Sequence, residues 1–492
     1  MNRDTGRLRS ESFDLLVIGG GILGAGVARD AALRGLRVAL VDQGDFGSGT
    51  SSRSSKLVHG GLRYLEHAEF RLVAEACRER DILLRIAPHL VEPLPVLFPC
   101  WRGFGRPLWK IRLGLVLYDF LAGPRVIQRH RMLWPESLRA LEPAVNQDRL
   151  EGAGLYYDCR MNDARLCLEN VIAAVQAGVA AANYVRVAGL EKSKGCVTGA
   201  RCEDLETAQE FFVRASVTVN ATGPWADAIR ALDDPGGPPT VRRTRGIHLI
   251  TGALLRSHGL TWTARSDGRV LFLLPFGSRH SLIGTTDTDS GEDPAEPRIE
   301  PEDVSYLLSE VSEVLSGVSL STSDVTGAFA GIRTLLRNDG GPSSVSREYR
   351  ILESRSGLIS VIGGKYTTYR AMADRVVRQV FRRLRRPIPP GQTERPLPGV
   401  ARQEDRRTQT GEIVSGSGVC WEDVSRALDH EMARRPMDFL RRRTNLGLIC
   451  RPDEGILANM AGIFAKRLGW DPEKTIRETH QARIEWSRHH PA

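Results

Sequence analysis

The sequence predicts a protein of mixed α/β and α+β class, in which a Rossmann-like nucleotide-binding domain is followed by strand-rich and then all-helical stretches. Three patterns predict it. Residues 13–42 read as strand, glycine turn, helix and strand. Residues 238–335 are short apolar runs separated by turn residues, and residues 421–486 keep helical spacing. The 492 residues suffice for two or three domains of about 100–200 residues each. A hydrophobic content of 41% and a charged content of 26% are those of an ordinary globular protein.

Residues 1–12 are polar, and disorder is expected there. An apolar run, 14–18, then leads into Gly19, Gly20 and Gly21, followed by Ile22, Leu23 and Gly24, so that Gly19, Gly21 and Gly24 stand at G-x-G-x-x-G spacing. Residues 25–34 are helix-like, Gly35 stops them, and a second apolar strand, 36–41, ends at Asp42. In this context the first glycine permits a tight turn, the second lets backbone approach a pyrophosphate, and the third lets helix pack on strand. The helix N-terminus offers free N–H groups and a positive dipole end to phosphates, and Asp42 can accept from a ribose diol.

The next loop decides which nucleotide. A nicotinamide enzyme would usually continue into another plain βα unit, but residues 47–56 read GSGTSSRSSK, followed by LVHGGLRY. The hydroxyls of Thr50, Ser51, Ser52, Ser54 and Ser55, with Lys56, His59, Gly60, Gly61 and Leu62, can wrap a second phosphate and the ribityl hydroxyls of a flavin. The plainer reading is a Ser/Gly linker, yet apolar and aromatic residues resume at once.

Residues 69–87 have helical spacing and stop at Pro88, and 93–99 read as extended. Residues 101–131 have an apolar centre (Trp109, Ile111, Leu113, Val116, Leu117, Tyr118, Phe120) between basic flanks such as Arg102, Arg106, Arg125 and Arg129. They read as a core helix with a solvated basic face, whose flanks suit lipid contact. A helix at 164–176 and strands at 185–187, 197–202 and 210–213 come next. An apolar strand from 217 then ends in Ala221, Thr222 and Gly223. After the strand-rich stretch, with a helix at 303–315, residues 357–364 form a strand closing on a double glycine. A long helix follows from Thr367 to about residue 386, again aiming backbone donors at something anionic. Residues rich in Pro, Gly, Ser and charge then lead into the C-terminal helices.

The eight cysteines form no C-x-x-C pair and no Cys/His cluster has zinc spacing, so reduced thiols and no metal are expected. The net charge of +9 suits anionic partners. No signal peptide and no run of ~18–20 apolar residues is visible, so the chain is expected to be cytoplasmic and not to cross a membrane.

The segments VIGGGILGAGVARDAALRG, GTSSRSSKLVHGGLRYLEHAEFRLV, VNATGPWAD, IGTTDTD, AGIRTLL and VIGGKYTTYRAMAD resemble the FAD-dependent, aerobic-type glycerol-3-phosphate dehydrogenases. These lie within the D-amino-acid-oxidase-like flavoprotein superfamily. The string SSKLVHGGLRYLEH is the specific part of the match; the glycine fingerprint alone is not. The resemblance implies a Rossmann-like FAD-binding domain, an inserted mixed β-sheet substrate domain and a C-terminal α-helical cap. The expected oxidoreductase domain spans 13–390, with FAD-binding parts at about 13–100, 150–235 and 330–386 and a substrate-binding part at about 238–330. A linker at 391–420 and a helical domain at 421–486 complete it.

The resemblance also implies oxidation of sn-glycerol 3-phosphate to dihydroxyacetone phosphate, by hydride transfer to FAD, with electrons passed to a membrane quinone. The acidic cytoplasmic face of the membrane would hold the protein peripherally, and homodimerisation stays open. Arg63, Tyr64, His248, Arg333, Arg347 and Lys365 are implied on the substrate side, arginine suiting a phosphomonoester because it donates two parallel hydrogen bonds. Gly364, Lys365, Thr367 and Thr368 would face the flavin. His248, Lys365 and an arginine all stand as candidates for the base. Alternative readings are an oxidase using oxygen, a dehydrogenase of another polyol phosphate, a flavin-binding scaffold without turnover, and a flavin-containing RNA-binding or RNA-modifying protein. No RNA-binding module is recognisable, so no nucleic-acid partner is expected.

Overall fold

The computed structural model describes residues 1–337, 349–402, 411–451 and 453–490. Residues 12–41 form the unit read from the sequence: β1 (Ser12–Ile18), α2 (Ile22–Leu33) and β2 (Val38–Val41), preceded by a short α1 (Thr5–Ser10). β1 is apolar along nearly its whole length because it is covered on both faces, as a central parallel strand must be. It pairs in parallel with β2 on one side and with strand Gln209–Asn220 on the other. Strand Ile359–Gly363 runs parallel beyond that. Both glycine-opened helix ends, α2 and helix Tyr369–Arg383, therefore start from the carboxyl edge of one sheet, where open α/β sheets bind ligands. α2 packs on helices Asp163–Gln176 and Tyr369–Arg383, and alanines 25, 28 and 31 let it lie close.

The second sheet is mixed. Strand Val241–Gly252 is its hub, paired antiparallel with His280–Gly284 and Val325–Leu336. β3 (Leu57–Val58), β4 (Val91–Trp101) and strand Leu150–Met161 also belong to it, β4 pairing in parallel with Gly259–Thr263. The stretches expected to bind FAD, 13–100, 150–235 and 330–386, contribute to both sheets: β3, β4, Leu150–Met161 and the end of Val325–Leu336 pair in the second one, with partners far along the chain. Helix Pro301–Val314 covers this sheet with Val304, Leu307, Leu308 and Val311.

Two expectations are corrected. Residues 1–12 are ordered: Asp4 caps α1 by accepting from Arg7 N, Leu8 is fully buried, and Arg3 pairs with Asp204 at 2.6 Å. The order comes from one buried leucine, ion pairs of Arg3 and Arg7 and a backbone bond from Asp4 N to Ala181 O, none of which a periodicity this short reveals. Residues 101–131 carry α4 (Leu108–Ala122), which follows α3 (Phe70–Ile86) and β4, and the outer face of α4 is an apolar stripe beside exposed Lys110 and Arg112 rather than a basic face. Ile111, Leu115 and Tyr118 face inward, while Trp109, Leu113, Val116 and Phe120 form an exposed apolar stripe, with Trp109 68% and Phe120 79% accessible.

The C-terminal part is helical as expected. Helices Trp421–His430, Glu454–Leu468 and Pro472–Ser487 enclose an apolar core around Phe439, Phe464 and Trp486.

Candidate active site

A cavity of about 2020 Å³ is lined from both sheets and from the C-terminal helices. One end is built by the fingerprint. Gly19 has φ +101°, and a Cβ there would strike the Ala221 carbonyl; a Cβ on Gly24 would strike the Gly19 carbonyl. Only glycine allows the strand end, the helix start and the Ala221–Thr222 turn to meet so closely. Asp42 is held by Gly20 N at 2.6 Å and Gly44 N at 2.8 Å, and burial raises its carboxyl to about 6.

Gly19, Gly21, Ile22, Leu23, Asp42, Ala221, Thr222 and Gly223 line the cavity, whereas Gly20 and Gly24 support it from behind. The hydroxyl loop lines it through Thr50, Ser51, Ser54, Ser55 and His59. Most of those hydroxyls are committed to protein partners. Ser51 Oγ accepts from Ile22 N (2.9 Å), Thr50 Oγ1 donates to Ile332 O and Ser54 Oγ to Asp163. Lys56, expected at the cofactor, instead forms a buried ion pair with Asp163. Ser52 is buried, Gly60 N donates to Asp158 (3.1 Å) and the Tyr118 hydroxyl, and Leu62 packs in an apolar cluster. Ser52, Lys56, Gly60, Gly61 and Leu62 thus shape the loop without lining the cavity. A polar glycine loop that must hold one conformation is tied by its side chains to the protein around it.

At the other end four distant segments converge. His248, on the hub strand, stacks on Phe329 with ring centroids 4.8 Å apart, and its Nε2 lies 2.9 Å from Ser55 Oγ. Its Nδ1 is buried without a hydrogen-bond partner among the described residues. Burial first, then the positive charges of Arg333 and Lys56, push its pKa well below the usual imidazole range, so the ring is neutral. Arg333, on Val325–Leu336, donates to Asp287 (3.0 Å) and Thr285 (2.9 Å). Arg63 lies 5.0 Å over the Tyr64 ring, and the Lys365 ammonium approaches the same ring from 3.4 Å. Burial lowers the Lys365 pKa. His59 N donates to Thr367 Oγ1 at 3.2 Å, which ties the loop to the second helix end.

Arg63, Tyr64, His248, Arg333, Gly364, Lys365 and Thr367 all line the cavity; Thr368 is buried beneath it. Arg347 lies outside the described residues. Sequence reasoning gives no role to Asp287 and Thr285, which orient Arg333, or to Asp163, which takes Lys56. The string TTDTD at the end of a strand is the available signal for the first two. The long cavity, the two helix ends and the acid at the end of β2 fit a dinucleotide flavin. The cationic end, with a neutral imidazole beside it, suits a small anion bearing an oxidisable hydroxyl.

Comparison with known proteins gives the same picture. The FAD dependent oxidoreductase family matches residues 14–370, and the C-terminal domain of alpha-glycerophosphate oxidase matches residues 395–475. A glycerol-3-phosphate dehydrogenase of Synechocystis is 38% identical over 97% of this chain and 98% of its own. The mitochondrial glycerol-3-phosphate dehydrogenase of Macaca fascicularis is 43% identical over 74% of this chain. The matched part spans about half the length of that mitochondrial relative, 52%. The crystal structure of the Bacillus halodurans glycerol-3-phosphate dehydrogenase complexed with FAD superposes with a TM-score of 0.79 at 29% identity, covering 98% of this chain and 96% of that one.

Proposed function

The chain belongs to the FAD-dependent glycerol-3-phosphate dehydrogenases, and from that premise we propose that it oxidises sn-glycerol 3-phosphate to dihydroxyacetone phosphate and delivers the electrons to a membrane quinone. FAD, when bound, supplies the acceptor for the hydride. Gly19, Gly21 and the start of α2 hold its diphosphate, and Asp42 its ribose. Arg333 and Arg63 bind the substrate phosphate, each donating to its oxygens; the sequence gives Arg347 the same role. His248 takes the hydroxyl proton, and its neutral ring is able to accept it. Lys365 places a positive charge beside Tyr64, where it steadies negative charge on substrate or flavin.

The observation that carries this reading is the convergence of Arg63, Arg333, Lys365 and a neutral His248 on the cavity that begins at the nucleotide fingerprint. Anaerobic titration of the yellow holoenzyme with glycerol 3-phosphate tests it. Bleaching of the flavin band is expected; a spectrum unchanged at millimolar substrate would remove the proposal.

Quinone as acceptor rests on a different feature. No helix among the described residues is long and apolar enough to cross a membrane. The exposed stripe on α4, near Arg102, Lys110 and Arg112, supports peripheral attachment to the acidic cytoplasmic face, where a quinone is within reach. The match to the alpha-glycerophosphate oxidase domain favours a second reading, with oxygen as acceptor. Hydrogen peroxide yield measured against quinone reduction separates the two.

A further inference from the structure

The C-terminal helices meet the nucleotide-binding sheet through buried polar contacts, and those contacts border the cavity. Asp45, three residues beyond the acid that ends β2, is buried. Its carboxylate accepts from Asn183 Nδ2 at 3.1 Å, from Arg443 at 3.0 Å and from Arg442. Arg442 also donates to Asp438, and Asp438 accepts from the Tyr184 hydroxyl at 2.7 Å. The Arg435 guanidinium lies 4.4 Å over the Tyr184 ring. Asn183 ties the same place again by donating to Met432 O at 2.8 Å. Asp42, Tyr184, Arg435, Met437, Asp438 and Arg442 all line the cavity.

We propose that residues 435–442 of the C-terminal helical region form part of the pocket for the adenosine diphosphate half of FAD, so that docking of this region and binding of that half stabilise each other. The ribose of a dinucleotide goes to the acid at the end of the second strand, which here is Asp42. The segment from Asp42 to Ser51 therefore does two jobs. It lines the adenosine end of the cavity, and through Asp45 it anchors Arg442 and Arg443. Undocking the helices would open one wall of that end and strip Asp45 of its two cations. Ligand and helical region act on one segment, and two binding events that share a segment are linked reciprocally. The helical region is thus a cofactor-retaining element. This inference rests on FAD as the cofactor and not on the identity of the substrate.

The test uses the full-length chain stripped of FAD. Hydrogen exchange is followed across residues 421–487 alone, with ADP, with FMN and with FAD. ADP and FAD should slow exchange at residues 436–443 by about ten-fold or more, and FMN, which lacks the adenosine half, should not. Equal exchange in all four states, or equal slowing by FMN, overturns the proposal. Arg435→Ala and Arg442→Met should each weaken ADP binding by roughly three-fold or more in calorimetry. Arg442→Met risks misfolding because it removes one of the two cations from buried Asp45 and a donor from Asp438. Arg435→Ala does not, since the Arg435 side chain is 40% exposed. Unchanged ADP affinity in a folded Arg435→Ala protein sinks the idea. None of these readouts involves glycerol 3-phosphate, so their failure is distinct from failure of the proposed reaction.

Discussion

In the proposed reaction, Arg333 separates recognition of the phosphate from retention of the cofactor. Its guanidinium is aimed by Asp287 and Thr285, neither of which touches the glycine cradle. Truncating a partner of a charge-assisted contact costs about 2–5 kcal/mol, so Arg333→Ala should lower kcat/KM for glycerol 3-phosphate by roughly 30- to 5,000-fold. The variant should keep its yellow colour; a colourless protein would make Arg333 a folding residue. His248 gives a pH prediction. Burial and two nearby cations hold its pKa well below the ordinary value of about 6.5. The kcat/KM profile of the FAD-saturated enzyme should therefore show no step near that pH, and His248→Asn should lower kcat without creating one. An acid limb centred at the ordinary imidazole value would contradict this assignment. Asp42 behaves in the opposite sense to a paired carboxylate. Burial raises it to about 6 in the FAD-free chain. Its contribution to folding is therefore present below its ordinary value of 3.8 and is lost as the pH rises through about 6. The ribose hydroxyls need the ionised form as acceptor, so FAD affinity should fall as the pH drops through about 6. Fluorescence titration should show that fall, and Asp42→Asn should flatten it.

At the scale of elements, α4 carries the clearest prediction. A broad apolar face on a helix belongs either in a core or in contact with lipid, and the outer stripe of this one is exposed among the described residues. Trp109→Ser with Phe120→Ser should reduce co-sedimentation with anionic vesicles by about ten-fold or more, since each buried aromatic is worth roughly 1.5–3 kcal/mol. FAD content should not change. Equal vesicle binding by the double variant would refute α4 as the lipid contact. The sequence shows the apolar centre of this segment but not its orientation. Periodicity places Ile111, Leu115 and Tyr118 on one face and Trp109, Leu113, Val116 and Phe120 on another, and it cannot say which face meets protein. The same limit explains the sheet boundaries. The run at 93–99 is legible as extended and 150–161 is not singled out, and the pairing of these two strands is non-local. The glycine cradle, Asp42 and both helix ends are legible because their chemistry is local. Arg63, His248, Arg333 and Lys365 come from four segments, and only a family resemblance could bring them together. The hydroxyl loop misleads in one respect: Lys56 and Ser54 serve Asp163, a residue more than a hundred positions away that no local pattern announces.

At the scale of the whole molecule, the cavity touches both sheets and the C-terminal helices, so its occupant belongs to all three layers. A ligand that binds only the folded chain stabilises it by about 4 kcal/mol at a thousand-fold excess over Kd. Unfolding entropies of about 2.1 cal/mol/K per residue give roughly 1 kcal/mol/K for a chain of this length. If the chain melts as one unit, FAD at that excess should therefore raise Tm by about 4 °C. If the layers melt separately without FAD, the same free energy falls on fewer residues. Then the shift of the FAD-binding layer should exceed that value, and its transition should merge with the later one. Calorimetry of FAD-free and FAD-loaded protein distinguishes these cases by the number of peaks as well as by Tm. The interdigitation of the layers favours the single transition. β3, β4 and strand Leu150–Met161 leave the nucleotide-binding half of the chain to join the second sheet, while the loop between β2 and β3 lines the cavity and ends in a residue, Lys56, bolted to helix Asp163–Gln176. A chain that crosses between layers so often cannot release one of them without straining the others. A profile with two well-separated peaks in both states would show that the layers are mechanically independent and that the cavity is a contact between them, not a shared core.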